Sequence, residues 1–360
     1  MKSYCMTCLL TAAVLSLTAC SEAFPSGQEG SLSVVIDGGK VTKVSDTGEL
    51  DYEQAVRDVQ IFLFAGASLY SYEKVDTRSR PLPYVRTYTG VHAGSYKVHV
   101  VANGPDLSGV ATEAELLGHD VQLSDCRLDA ASGFVMAGSA AAAVGESEVR
   151  VPLALQRFAA RVRLVSIENQ VPAAYADGGA VTVKGIFLVN ALGSWNLAGS
   201  GTASEWVNLG GRTAGRPAAT ERSDFLFAAG QVHPAAYRAQ VFRSQSQGIA
   251  RGTRQTFDDC CLYTFPNAVT SDNTGNTATE SAGAFTRLVV LASVDGADWW
   301  YPVTLFKDGK GPQRNTTYDV KLTLRATGST DPNEPVGAGS LTAAVSAKGW
   351  LSGVKYTETL

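Results

Sequence analysis

Leu155-Gln156-Arg157-Phe158-Ala159-Ala160-Arg161-Val162-Arg163-Leu164-Val165-Ser166-Ile167 is the stretch on which the architecture turns. From Ala159 to Ile167 arginines alternate with aliphatic residues, so one face of the segment is wet and the other dry, as in a strand of a half-solvated sheet. Short strand-like runs have already accumulated upstream, and near Leu155 the pattern starts over. The spacing therefore predicts an all-β chain with one minor helix, folded as two tandem β-sandwich domains of transthyretin-like or Greek-key type over 57–155 and 156–360.

Upstream, Ser31-Leu32-Ser33-Val34-Val35-Ile36-Asp37 is a β-rich run closed by Gly38-Gly39, and it reads as the first strand. Lys40 to Val56 is polar and aperiodic and reads as an exposed loop. Val59 to Phe64 is a buried strand, followed by the tyrosine-rich Leu69 to Tyr72. Gly94 to Gly104 is a turn, an alternating strand and a stop. Thr112 with Glu115 three places on fits a capping box opening a short helix, and Phe134–Ser139 and Glu148–Leu155 are again strand-like.

Downstream, Val181–Asn190, Arg238–Arg243, Arg287–Val294 and Trp299–Phe306 read as strands, while Gly199–Thr220 and Ser244–Asn276 read as loops. Arg314-Asn315-Thr316-Thr317-Tyr318-Asp319-Val320-Lys321-Leu322-Thr323-Leu324 opens on an Asn turn and becomes an alternating strand. A Pro-punctuated linker, Gly328 to Pro335, separates it from the tail. There Leu341, Ala343 and Val345 alternate with small or polar residues, Trp350 follows, and Val354 and Tyr356 lie two apart. A terminal strand after a loose linker either folds back onto its own sheet or completes the sheet of another molecule.

The first twenty residues carry a different message. Lys2, an apolar run from Cys8 and Leu17-Thr18-Ala19-Cys20 read as a secretory signal peptide over 1–19. Small residues before a cysteine at the cleavage point make it a lipoprotein signal, with Cys20 the acylated residue. The chain is then expected to work outside the cytoplasm, tethered by lipid, with 20–56 supplying a tether and the first strand. About 340 residues remain, enough for a sizeable core in each of two domains. Charged residues make up 18% and the formal charge is −4, which argues against a nucleic-acid partner. No second apolar run reaches the ~20 residues of a membrane helix. Cys126, Cys260 and Cys261 are an odd set, and a bond between the adjacent pair would strain the peptide link. They read as buried or idle thiols, with a bridge from Cys126 to one of the other two as the alternative.

Catalytic patterns are weak. Ser71-x-x-Lys74 and Ser271-Asp272-Asn273 match motifs of penicillin-binding enzymes, but the first sits in a tyrosine-rich hairpin region rather than at a helix start, and no Lys-Thr-Gly follows. His92, His99, His119 and His233 show no metal-ligand spacing, and Gly199-Ser200-Gly201 lacks the helix a phosphate site needs. No enzyme activity, metal or cofactor is expected.

In these residues the sequence resembles the Bacteroidetes major fimbrial subunits, the fimbrillin family of type V pili. The resemblance rests on the Cys20 leader, the Ser31–Asp37 strand, the Leu155–Leu164 passage with its arginines, Arg314-Asn315-x-x-Tyr318-Asp319-Val320-Lys321-Leu322-Thr323, and the Trp350-containing tail. It implies a precursor carried to the outer membrane as a lipoprotein, cut by a trypsin-like protease in the loop after the first strand. Under that account Ser31, Leu32, Val34 and Ile36 belong to a placeholder strand within a cleaved propeptide, 20–56. The donor strand, 340–360, carries Leu341, Ala343, Val345, Trp350, Val354 and Tyr356. It fills the groove of a neighbouring subunit and builds a fimbria that contributes to adhesion. One departure stands out: the arginine of the family's cleavage site is missing, its ungapped counterpart is Lys43, and the next candidate is Arg57 at the edge of the second strand. Implied partners are copies of the chain, other pilus subunits, the outer membrane through the lipid, and receptors on host or bacterial surfaces. The alternatives are an anchor or accessory subunit, and a monomeric glycan-binding lipoprotein using Trp195, Trp206, Trp299 and Trp300.

Overall fold

The computed structural model describes residues 27–37, 50–128, 132–199, 206–207, 238–272, 285–306 and 308–350. Cys20, Lys43, Val354 and Tyr356, named above, lie outside the described residues. The first half contains β1 (Glu29–Asp37), α1 (Asp51–Gln54), β2 (Asp58–Ala65), β3 (Ser68–Asp76), β4 (Tyr84–His92), β5 (Gly94–Ala102), α2 (Glu113–Gly118), β6 (Asp120–Gln122), β7 (Met136–Val144), β8 (Glu148–Ala154) and β9 (Gln156–Arg157). A three-stranded sheet, β4-β1-β8, faces a five-stranded one, β3-β2-β5-β7-β9. Alternation builds the core between them: Val59, Ile61, Leu63, Val98 and Val100 are buried, each such side chain contributing about 1.5–3 kcal/mol.

The second half contains β10 (Ala160–Asn169), β11 (Ala180–Val189), β12 (Ala191–Leu192), β13 (Ser194–Asn196), β14 (Trp206–Val207), α3 (Arg238–Val241), β15 (Phe242–Ala250), β16 (Arg254–Thr256), β17 (Cys261–Thr264), β18 (Arg287–Val294), β19 (Ala297–Thr304), β20 (Thr316–Leu324) and β21 (Leu341–Gly349). One sheet runs β16-β10-β20-β21 with β17 also paired to β10, the other β15-β11-β18-β19. The two-sandwich, nearly all-β expectation is what the structure has. The sandwiches are joined by more than the chain: β6 pairs antiparallel with β13, placing Trp195 opposite Val121, and Gln156–Arg157 still pair with β7.

Several local expectations change. Arg238–Arg243 opens with the helical turn α3 before β15 rather than being strand throughout, and Ser244–Asn276 holds most of β15 and all of β16 and β17 instead of a loop. β15 is an edge strand of Ser and Gln at alternate positions, with only a shallow apolar period. β17 is buried on both faces, so Cys-Leu-Tyr-Thr has no alternation to detect. The Thr112 capping box is present as read: its side chain accepts from Glu115 N, and Glu115 answers to the Thr112 amide.

Candidate functional site

β1 is the middle strand of its sheet, antiparallel to β4 and parallel to β8, which places it between strands from two distant parts of the chain. Its inward residues Leu32, Val34 and Ile36 are fully buried. On the outward face the Ser33 hydroxyl meets the Thr87 hydroxyl at 2.8 Å and donates to Glu148 at 2.7 Å. The strand enters so close to the neighbouring backbone that a Cβ on Gly30 would lie 1.9 Å from the Gly145 carbonyl oxygen. A strand held on both edges and on one face is strongly stabilised while present. Its departure would open two edges and an apolar groove at once.

β21 is held differently. It pairs antiparallel with β20 along nine residues, Leu324 opposite Leu341 and Val320 opposite Val345, and lies at the end of its sheet. Leu341 is buried and Val345 half-buried, but Ala343, Ala344, Ser346 and Ala347 are exposed. On the outer face Lys348 and the Arg163 fork share the Asp319 carboxylate, at 3.4 and 2.7 Å. Burial acts to raise the Asp319 pKa, but these two cations outweigh it and leave the carboxyl below its usual value.

Trp350, directly after β21, is 1% exposed. Its ring contacts Phe134 edge-on (5.6 Å between centroids) and stacks on Tyr263 (5.9 Å, 17°). The guanidinium carbons of Arg157 and Arg161 lie 4.7 and 5.1 Å from the ring centroid. Beneath this cage is Glu53 of α1, with no exposure. Its carboxylate accepts from Arg161 Nη1 at 2.8 Å and the Tyr263 hydroxyl at 2.6 Å, and its backbone carbonyl accepts from Arg157 Nε at 2.7 Å. Burial, with Glu53 beside it, pushes the Tyr263 phenol well above its ordinary pKa. The arginines flagged in the sequence thus bind the two sandwiches together. Arg314 belongs with them: it donates to the Gln156 carbonyl at 3.0 Å and lies over Phe158 at 4.4 Å.

Arg57 is half-buried and its surroundings are clamped. Its amide donates to Asn103 Oδ1 at 2.8 Å and its carbonyl accepts from Thr77 N at 2.9 Å; the carbonyls of Ala55 and Val56 accept from Asn103 and Thr77 side chains at 2.7 and 2.6 Å.

With this geometry in view, comparison with known proteins is informative. Residues 29–150, which include β1, match the family model described as major fimbrial subunit protein (FimA). That match spans the N-terminal sandwich, about a third of the chain, and over it the chain is similar to the major fimbrial subunit family. No curated protein sequence matches the chain. Similar solved structures include a putative cell adhesion protein from Bacteroides eggerthii, 21% identical with a TM-score of 0.63, covering 90% of this chain and 97% of that one. A fimbrilin from Porphyromonas gingivalis is 16% identical with a TM-score of 0.58, covering 91% and 99%. A putative cell adhesion protein from Parabacteroides distasonis is 18% identical at 0.59, covering 92% and 99%. At these identities the likeness is one of fold, and it extends over both sandwiches.

Elsewhere the chain lacks the geometry of an enzyme or of an exposed sugar site at the residues that suggested them. Ser71 and Lys74 both lie in β3, three residues apart and hence on opposite faces, so the Ser-x-x-Lys geometry of a helix turn is absent. Asp272 is ion-paired with Arg287. Trp195 and Trp300 are buried, and Trp206 and Trp299 half-buried, so these four indoles do not form an exposed sugar platform. His99 lies in β5 and contacts Glu113 at 2.9 Å. Cys126, Cys260 and Cys261 are free and buried, not bridged. Burial pushes the first two thiols up to about 12 and the third to about 11. Sequence reasoning missed Glu53, Phe134 and Tyr263 as junction residues; the only available signal was a carboxylate, Glu53, beside Tyr52 in an otherwise aperiodic polar stretch.

Proposed function

We propose that the chain is a structural subunit of a surface fimbria. In this reading it is exported as a lipoprotein through Cys20, processed after β1, and polymerised when the C-terminal strand of one copy takes the place of β1 in the next, contributing to adhesion. The observation that carries the proposal is the placement of β1. It sits inside a sheet made by later segments, supplies three fully buried side chains, and is separated from the next described element, α1, by the stretch 38–50. A single cut between β1 and α1 would separate β1 from every other described strand. The donor is 340–360, whose first part, β21, is already an edge strand with few buried side chains.

For the processing point, Lys43 is favoured over Arg57. A protease needs an extended, accessible segment, whereas the backbone around Arg57 is hydrogen-bonded to Asn103 and Thr77. A cut after Arg57 would also carry away Glu53 and strand Arg161 in the interior. The second reading, a subunit that stays lipid-anchored at the base, is favoured by one specific feature: no arginine lies in 38–49. N-terminal sequencing and intact mass of protein from surface fibres, with Lys43→Ala and Arg57→Ala beside the parent, test both. A mature start at Val44, with fibres lost in Lys43→Ala, is expected. A chain beginning at lipidated Cys20 with no high-mass ladder overturns the stalk reading and leaves the anchor.

A further inference from the structure

We infer that Trp350 is a latch that keeps the C-terminal strand self-paired, and that α1 is the element that sets it. This rests on the strand-exchange reading and adds a regulatory contact within it. Between Leu341 and Trp350 the side chains of β21 are mostly exposed, so burial holding this edge strand down is concentrated at its two ends. The Leu341 end continues from the linker. The Trp350 end is inserted between the sandwiches.

Each wall of the Trp350 cage is in turn positioned by α1. Phe134 stacks on Tyr52 at 6.1 Å and 14°. The Tyr263 hydroxyl and Arg161 both donate to the Glu53 carboxylate, and Arg157 donates to the Glu53 carbonyl. Four contacts to one indole therefore converge on two adjacent residues of a four-residue helical turn. That turn begins fourteen positions after the end of β1, directly beyond the stretch in which the processing point is proposed. A cut after Lys43 severs the upstream tether of α1, and β1 can then withdraw. The cage then loosens, and the strand that must be donated is freed in the same subunit whose groove has opened. The latch also has a weak point: among the described residues the buried Trp350 indole N–H has no hydrogen-bond partner, so there the ring is held by stacking and by the two cations.

Hydrogen exchange of the full, unprocessed chain, read by mass spectrometry on the β20-bonded amides of β21, tests this. Trp350→Ala and Glu53→Gln are expected to speed exchange there at least tenfold while β11 and β18, in the opposite sheet, keep their protection. Trp350→Phe keeps an aromatic ring in the cage and removes the buried N–H, so it is expected to exchange more slowly than Trp350→Ala. Should Glu53→Gln unfold the chain, Tyr263→Phe, which loses only the hydroxyl donated to Glu53, replaces it with the same expectation in direction. Exchange within twofold of the parent in Trp350→Ala overturns the latch; a fast Trp350→Ala beside an unaffected Glu53→Gln or Tyr263→Phe overturns the role of α1. Fibre formation is scored separately on processed samples. In Glu53→Gln or Tyr263→Phe, which leave the donor residues intact, faster β21 exchange without fibres supports the latch and sinks strand exchange, whereas normal fibres with unchanged exchange do the reverse.

Discussion

Glu53 is the residue whose environment differs most from what its letter suggests. It lies in a polar stretch, yet it is wholly buried and ion-paired with Arg161. A buried pair is a poor net stabiliser, but removing one partner leaves the other charge dehydrated, at about 3–5 kcal/mol. Glu53→Ala is expected to lower the free energy of unfolding by that much, read as a fall in the urea midpoint, whereas Arg78→Ala, which breaks a solvent-exposed pair with Asp76, leaves the midpoint unchanged. The cysteines make a second residue-scale prediction. With their thiols buried and raised to about 11–12, Cys126, Cys260 and Cys261 should resist alkylation in the native protein at neutral pH and all react once it is unfolded, as read by intact mass. Labelling of any of them at the rate of a free thiol would contradict the packing described.

At the scale of the element, β21 depends on Asp319 as well as on Trp350. The Asp319 carboxyl, at ~3.9 in an unfolded chain, is depressed in the fold by Arg163 and Lys348, against the opposing effect of burial. A depressed carboxyl contributes stability above its unfolded pKa, and that contribution is lost as pH falls through the lower, folded value. Protection of the β21 amides is therefore expected to fall on acidification from ~pH 4 downward, ahead of β11 and β18. Asp319→Asn should show the same loss at neutral pH, because both cations then face a neutral amide. Equal protection of β21 at pH 7 in the variant would remove Asp319 from the account. Elements also explain what was legible. β2, β5, β10, β18 and β20 announce themselves because alternation or a dense aliphatic run marks strands packed on a core. β4, β15, β16 and β17 lack a readable period: in β15 the exposed edge relaxes the pattern, and β17 is buried on both faces.

For the whole molecule, two sandwiches are joined by β6–β13 and by the arginine cluster, with β1 near one end of the chain and β21 near the other; under the proposed strand exchange these are placeholder and donor. A chain ending at Ser340 and processed to release β1 presents the open groove but has nothing to donate. Mixed in small proportion with processed parent protein, it is expected to enter growing fibres as an acceptor and stop them, shortening their length in electron micrographs in proportion to its share. Fibres of unchanged length would show that 340–360 is not the donor.

The sequence alone determined the all-β character, the restart near Leu155, the capping box at Thr112 and the likeness to fimbrial subunits, because each is written in neighbouring residues: period-two alternation, turn chemistry and local motifs. It left the partners of those residues open. That Glu53 lies beneath Trp350, almost three hundred positions away, that β1 runs parallel to β8, and that Cys126 is far from reactive depend on which surfaces meet when two sandwiches close. Long-range pairing and desolvation follow from that closure, and the tertiary structure alone decided them.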